Sequence, residues 1–363
     1  AVAGPPAQEA EAVLVVNSLS WPREGELMLD GVPEGARPAA EGARAQWIED
    51  VEGDRRLAVE GLTVPPLGAT VVRLESGKTE GDSAFEVTED GLDTPHLAIR
   101  FDGAGRIVSM VDKASSREVV RPGGALNSLL LGEDVPWQWD NWDIDWDQHR
   151  KMRVEDRLVG REVVCDGPLQ LRIRSTWRIG NQSELVQDAV FHSTTPRVDF
   201  DTVLQWSERH RLLKASFDLD LLAESARHEI QYGHVARATH SNRPHERAQF
   251  EVSNHKWTDV SEGDFGVALL NDCKYGISTC GSTMALSLIK SGTHPDDRGD
   301  EGTHRFTYSL LPHAGDFSVE GVVRPAYERN VPPTVCPCAQ GAAGFDSLLE
   351  VDAPGGIVEA GEW

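Results

Sequence analysis

The eleven residues from Trp137 to Asp147 read Trp-Gln-Trp-Asp-Asn-Trp-Asp-Ile-Asp-Trp-Asp and hold four of the ten tryptophans together with four aspartates. An indole face offers flat apolar surface to the C–H face of a sugar ring, and carboxylates accept hydrogen bonds from its hydroxyls. Taken singly, each tryptophan reads as sandwich core with its aspartates left in water. Taken whole, the segment reads as a binding site. Asp143, Asp145 and Asp147 open like a calcium loop, but Gln148 stands where the glycine belongs and Val154 occupies the twelfth position. In a strand the three carboxylates would instead share one face.

A second constellation is His294-Pro-Asp-Asp-Arg-Gly-Asp-Glu-Gly-Thr-His304, set between the strand-like runs Met284–Ile289 and Phe306–Leu311. Four carboxylates surround Arg298, whose guanidinium could fork onto vicinal hydroxyls or a carboxylate. A solvated acidic hairpin loop is the equal alternative, since binding groups concentrate on loops held by a rigid sheet. A third stretch, His228 to His255, holds five of the twelve histidines with Tyr232, Arg237, Arg243 and Arg247. Loop histidines there are expected to be solvated or capping. His228-Glu229 and His245-Glu246 lack the second histidine of a zincin helix, and no nucleophile elbow, phosphate loop or dinucleotide fingerprint occurs.

The elements that must position these groups are strands. Leu169, Leu171, Ile173, Ser175, Trp177 and Ile179 alternate with Gln170, Arg172, Arg174, Thr176 and Arg178, predicting one buried and one wet face. Val198–Trp206 repeats the pattern, as do Ala215, Phe217, Leu219 and Leu221 against Lys214, Ser216, Asp218 and Asp220. Turn signals separate the runs, which predicts an all-β fold of antiparallel sheets packed as a large sandwich, without a Rossmann fold or barrel. Expected units are a disordered lead (1–12), a small β domain (13–74), a polar linker (75–83), the large β-sandwich domain (84–330) and a truncated C-terminal β piece (331–363). That last piece would hold strands at Ser347–Asp352 and Gly356–Ala360 and then stop, so a fragment of a longer protein is expected.

Lys+Arg 35 against Asp+Glu 59 gives a net charge of −24, which argues against nucleic acid or an anionic membrane as partner. No run approaches the roughly 18 apolar residues of a spanning helix, and no signal peptide is evident. Five scattered cysteines, including Cys336-Pro-Cys338, fit neither a zinc ribbon nor a thioredoxin motif, and a reduced cytoplasmic protein is the simplest expectation.

Read in order, Val15–Arg23, Pro65–Gly68, Ile107–Lys113, the Trp139–Asp145 run, Phe265–Gly276, the Asp-Asp-Arg-Gly loop and Tyr308–His313 resemble one known pattern. It is the C-terminal β region of glycoside hydrolase family 38 α-mannosidases, cytosolic and bacterial branch, and it covers nearly the whole chain from Val13. The resemblance implies retaining hydrolysis of α-mannosides. It also implies a zinc ion held by a His-x-Asp pair, a further Asp and a further His, in an N-terminal barrel and helical bundle absent here. His294-Pro295-Asp296 is the only His-x-Asp, and its late β loop lacks the barrel context, so no zinc role is transferred to it. No metal and no catalytic residue is therefore assigned to this chain, which alone is expected to be inactive.

What the resemblance does carry over is contact with the sugar. Arg298, Asp297 and Asp300 become substrate-positioning candidates, and Trp139, Asp140, Trp142, Asp143 and Asp145 a candidate rim of the cleft. Trp21 and Tyr275 read as packing. The implied partners are the α-mannoside and the absent catalytic domain, with a homo-oligomer open. Two rival readings stand beside this one. A mutarotase-like epimerase would use His228, His234 and Glu229 as acid and base, and a carbohydrate-binding module would use the tryptophans as a platform.

Overall fold

The computed structural model describes residues 11–79, 81–339 and 341–348. Among the described residues the regular secondary structure is almost wholly antiparallel strand, as the period-two runs predict. The large sandwich faces a nine-stranded sheet, running from Leu158–Asp166 at one edge to Gly233–Ala238 at the other, against a six-stranded sheet. The latter holds Ser128–Glu133, Arg211–Asp218, Thr283–Lys290 and Gly276–Cys280 as consecutive neighbours. Leu171, Ile173, Phe200, Leu204, Phe217 and Leu286 fill the space between them. A buried polar network lies in this core. Tyr308 Oη donates to Asn127 Oδ1 (2.6 Å), Asn127 Nδ2 donates to Gln187 Oε1 (2.7 Å), and Gln187 Nε2 donates to Tyr308 Oη (2.9 Å). Gln187 Nε2 also reaches Thr202 Oγ1 at 2.8 Å.

The small unit pairs a four-stranded and a three-stranded sheet around Val13, Val15, Leu27, Leu57, Val59 and Val72. Its first strand is Ala12–Val16, so Ala12 belongs to the sheet and not to the lead, whose residues 1–10 lie outside the described residues. Glu75 and Ser76, assigned to the linker, end the strand Ala69–Ser76. The chain after Pro333 adds Thr334–Cys338 to the edge of this same sheet, against Ala12–Val16. Ser347 and Leu348 are not in a strand, and the rest of the two strands expected at 347–352 and 356–360 lies outside the described residues.

The wet faces are where alternation misleads. Gln170 and Arg172 are buried along with their apolar neighbours, because the small unit covers that end of the nine-stranded sheet. Gln46 Nε2 donates to the Gln170 carbonyl (2.9 Å), and Arg174 Nη2 donates to the Asp50 carbonyl (2.7 Å). The joint contains a buried charged cluster. His192 Nδ1 lies 3.0 Å from Glu26 Oε2 and its Nε2 3.0 Å from Asp199 Oδ2, while Arg197 holds Asp199 with two bonds. Lys214 and Ser216, also expected in water, are buried on the outer face of the six-stranded sheet.

Candidate functional site

After Ser128–Glu133 the chain leaves the sheet at Asp134, whose buried carboxylate pairs with Lys290 at the end of Thr283–Lys290. Burial pushes the Asp134 carboxyl up, against the pull of Lys290. The same ammonium donates to the Asp140 carbonyl at 2.7 Å. From there to the short 3-10 turn Gln148–Arg150 the chain is loop, not strand. Asp143, Asp145 and Asp147 therefore do not share a strand face. Trp139 takes a left-handed φ of 59°, and its carbonyl accepts from the amides of Trp142 (2.8 Å) and Asp143 (2.9 Å). A bulky residue in that region marks a conformation imposed by its surroundings.

Asp140 is the joint of the site. Its Oδ2 accepts from the amides of Thr293 (2.7 Å) and His294 (3.0 Å), and its Oδ1 lies 3.4 Å from His210 Nδ1. His210 Nε2 in turn meets Thr293 Oγ1 at 3.0 Å. Burial works against ionisation of Asp140, but the Thr293 amide, His210, the His294 amide and Lys290 outweigh it and lower the carboxyl pKa. One carboxylate thus ties the Trp-Asp loop to the start of the Asp-Asp-Arg-Gly loop.

All four indoles of the segment face solvent, contrary to the core reading of each one. Trp137 is 89 % exposed, Trp139 67 %, Trp142 69 % and Trp146 63 %. Exposed indoles on a braced loop are candidates for a binding surface. Asp143 and Asp145 serve the loop itself: Asp143 Oδ1 accepts from the Ile144 amide (3.0 Å), and Asp145 Oδ1 from the Trp137 amide (3.2 Å).

In the second loop Asp296 Oδ1 accepts from the Arg298 amide (3.0 Å), and His304 Nε2 meets the Asp300 carbonyl at 2.6 Å. Asp297, Arg298 and Asp300 are exposed, and among the described residues the Arg298 guanidinium enters no ion pair. Gly299 (φ 57°) is required here, since a Cβ would stand 2.6 Å from the Gly292 carbonyl oxygen. The structure therefore joins Asp140 to the loop of Asp297, Arg298 and Asp300, and leaves Trp139, Trp142 and Arg298 free at the surface. Sequence reasoning missed Asp134, Lys290, His210 and Thr293, the groups that fix this arrangement.

The epimerase constellation is not assembled. His228 lies in the strand Ser225–Ile230, opposite Val235, whereas Glu229 lies opposite His234, so His228 faces the other side of the sheet. His228 is buried, not solvated, and burial pushes its pKa down to about 4. Glu229 is spent on the amide and ammonium of Lys256, and the His234 ring packs on Phe317 and Trp257. Trp21 is packed against Tyr327 as expected, and Tyr275, half exposed, packs its ring on His255. The zinc that the resemblance implies finds no ligand set among the described residues. His294 and Asp296 are both exposed, and among the described residues no group of three or more His, Cys, Asp or Glu side chains could hold a metal ion. Among the described residues no helix is long and apolar enough to cross a membrane.

The fold and surface define a large antiparallel β-sandwich carrying an edge with exposed indoles. Residues 92–298 match the C-terminal domain of glycosyl hydrolases family 38, and the chain belongs to that family. Over 358 residues, 96 % of this chain and 32 % of the relative, it is 35 % identical to human alpha-mannosidase 2C1. It is 38 % identical to alpha-mannosidase G of Dictyostelium discoideum over 79 % of this chain and 28 % of that protein. The chain thus spans about a third of the length of the curated relatives it matches. An alpha-mannosidase structure from Enterococcus faecalis superposes over 95 % of this chain and 48 % of its own, with a TM-score of 0.71 at 11 % identity, a likeness of fold.

Proposed function

We propose that this chain supplies one wall of the active-site cleft of a retaining, zinc-dependent α-mannosidase. Terminal α-mannosides are the substrate. The bond-breaking carboxylates and the zinc ligands belong to the rest of the longer enzyme, and this stretch alone is inactive. The wall is the surface where the Trp137–Asp147 loop and the Asp-Asp-Arg-Gly loop meet, with Arg298 to fork onto vicinal hydroxyls and Trp139 or Trp142 to take a sugar face. The observation that supports this reading above others is the Asp140 carboxylate bonded to the Thr293 and His294 amides, which braces both loops as one surface. A cytoplasmic enzyme, acting without nucleic acid or membrane and open to homo-oligomer formation, completes the proposal.

The test is Arg298→Ala in the full-length enzyme, assayed on p-nitrophenyl α-D-mannopyranoside with zinc measured in parallel. Loss of a charge-assisted hydrogen bond to substrate lowers kcat/KM by about 10- to 100-fold, with zinc content unchanged. Unchanged kcat/KM removes Arg298 from the cleft. Loss of zinc would mean that Arg298 supports the metal site instead.

A further inference from the structure

The Trp-Asp loop has a second flank. On the outer face of the six-stranded sheet, opposite the core side of Leu213, Ala215 and Phe217, lies a cavity of about 210 Å³. Its floor is the sheet itself, with Lys214 and Ala285, and its walls include Ile144, Trp146 and Phe250. Gly132 lets the segment that closes it lie against the sheet, because a Cβ there would meet the Met152 sulfur at 2.5 Å and Gln148 Nε2 at 3.0 Å.

Two polar groups in this cavity have unspent capacity. Gln148 is buried, its Nε2 donates to the Glu133 carbonyl at 2.8 Å, and its Oε1 is buried with no partner. An orphan acceptor of that kind costs free energy unless something donates to it. Lys214 is equally buried. Of its three N–H donors, one goes to Glu251 Oε2 (2.5 Å) and one to Ser278 Oγ (2.8 Å), which leaves the third. The complementary ligand must both donate and accept, as hydroxyls do. The Lys214–Glu251 pair cancels its own charge, so that ligand is neutral. Walls of indole, phenyl and aliphatic carbon require an apolar face on it as well. The volume admits one six-membered ring.

From these constraints we infer that the cavity is a second sugar site, which takes a single neutral hexopyranose with its C–H face on Trp146 or Phe250 and hydroxyls on Gln148 Oε1 and Lys214 Nζ. Neither Arg298 nor any other residue of its loop lines this cavity, so the site does not depend on the cleft reading. In the longer enzyme it would hold a sugar residue beyond the one being cleaved, or a separate glycan.

Cys280 is exposed and lines the cavity, which makes it a local reporter; exposed Cys336, in the small unit, serves as reference. Alkylation of the folded chain by iodoacetamide is followed by mass spectrometry of the Cys280 and Cys336 peptides, with and without methyl α-D-mannopyranoside. One ring with two hydrogen bonds binds with Kd on the order of 1–10 mM, so at ten times Kd the Cys280 rate falls by about tenfold. The Cys336 rate stays constant. Ala285→Phe fills the cavity and abolishes the protection, while Arg298→Ala preserves it. If Cys280 is not protected in the unmodified chain, the site is overturned whether or not the filled variant folds. The same holds if saturation-transfer NMR detects sugar binding while Cys280 reacts at its full rate, for the sugar then sits elsewhere. Loss of protection in Arg298→Ala would likewise overturn it in favour of the loop surface.

Discussion

Exchanging His192 for glutamine removes a charge from a deeply enclosed ionic site, the joint between the small unit and the sandwich. Burial alone would discharge this imidazole. Glu26 and Asp199, each 3.0 Å from one ring nitrogen, reverse that and raise its pKa from 6.5 to about 9. Two and a half pH units of preferential protonation correspond to about 3 kcal/mol of folding stability. The sign follows from the direction. A folded-state pKa above the unfolded one gives a contribution that is complete below about pH 6.5 and disappears as pH rises through about 9. Glu26 and Asp199 are shifted the other way, their burial outweighed by His192 for Glu26 and by Arg197 and His192 for Asp199. Their contribution is present above the ordinary carboxylate range and declines as pH falls below it. The joint is therefore strongest between about pH 4.5 and 6.5. Urea unfolding at pH 6, 7.5 and 9, read by circular dichroism, would show the native chain losing about 3 kcal/mol across that series from this site. His192→Gln starts lower, since Glu26 and Asp199 lose the cation between them and only Asp199 keeps another, Arg197, but lacks this site's share of the decline. Parallel pH curves for the two proteins would refute a charged His192.

Two further substitutions separate backbone and core effects. Gly299→Ala forces a side chain into a left-handed conformation and against the Gly292 carbonyl, so it costs about 1–3 kcal/mol. Gly103→Ala, with nothing within 4 Å of its Cβ and no positive φ, stays within about 0.5 kcal/mol of the native chain. Equal melting temperatures for the two variants would contradict the loop geometry. Tyr308→Phe deletes the hydroxyl that burial holds protonated and that bonds both Asn127 and Gln187; leaving those amides underpaired costs about 2 kcal/mol in chemical denaturation. A neutral effect would show that the network relaxes around the loss.

Strand content was legible because side-chain alternation is a local property, and Leu171, Ile173, Trp177 and Ile179 are buried as their spacing requires. The burial of Gln170, Arg172, Lys214 and Ser216 was not legible, because it depends on what another unit or loop lays over the exposed face. The chemical character of the Trp-Asp run was visible in its residue types. Its exposure was not, since an indole is equally at home in a core. The joint at Asp140 had no sequence signal at all: its partner amides lie 153 and 154 residues further on, and backbone donors leave no trace in residue identity.

That difference explains why two loops chosen separately for their chemistry form one surface. The strand Arg211–Asp218 lies between Ser128–Glu133 and Thr283–Lys290 in the six-stranded sheet, and the two loops leave from the ends of those outer strands. Neighbouring strands lie about 4.8 Å apart, so these two exits are about 10 Å apart whatever the loops contain. His210, just before the middle strand, fills that gap and meets both sides, at Asp140 and at Thr293. Lys290 adds a second tie through Asp134 and the Asp140 carbonyl. Sheet order brings the loops within reach, and the buried charges fix their registration. The exposed indoles and Arg298 are consequently held by the contacts of Asp140, His210 and Lys290, and a change at any of these three would displace the surface without altering the indoles or Arg298 themselves.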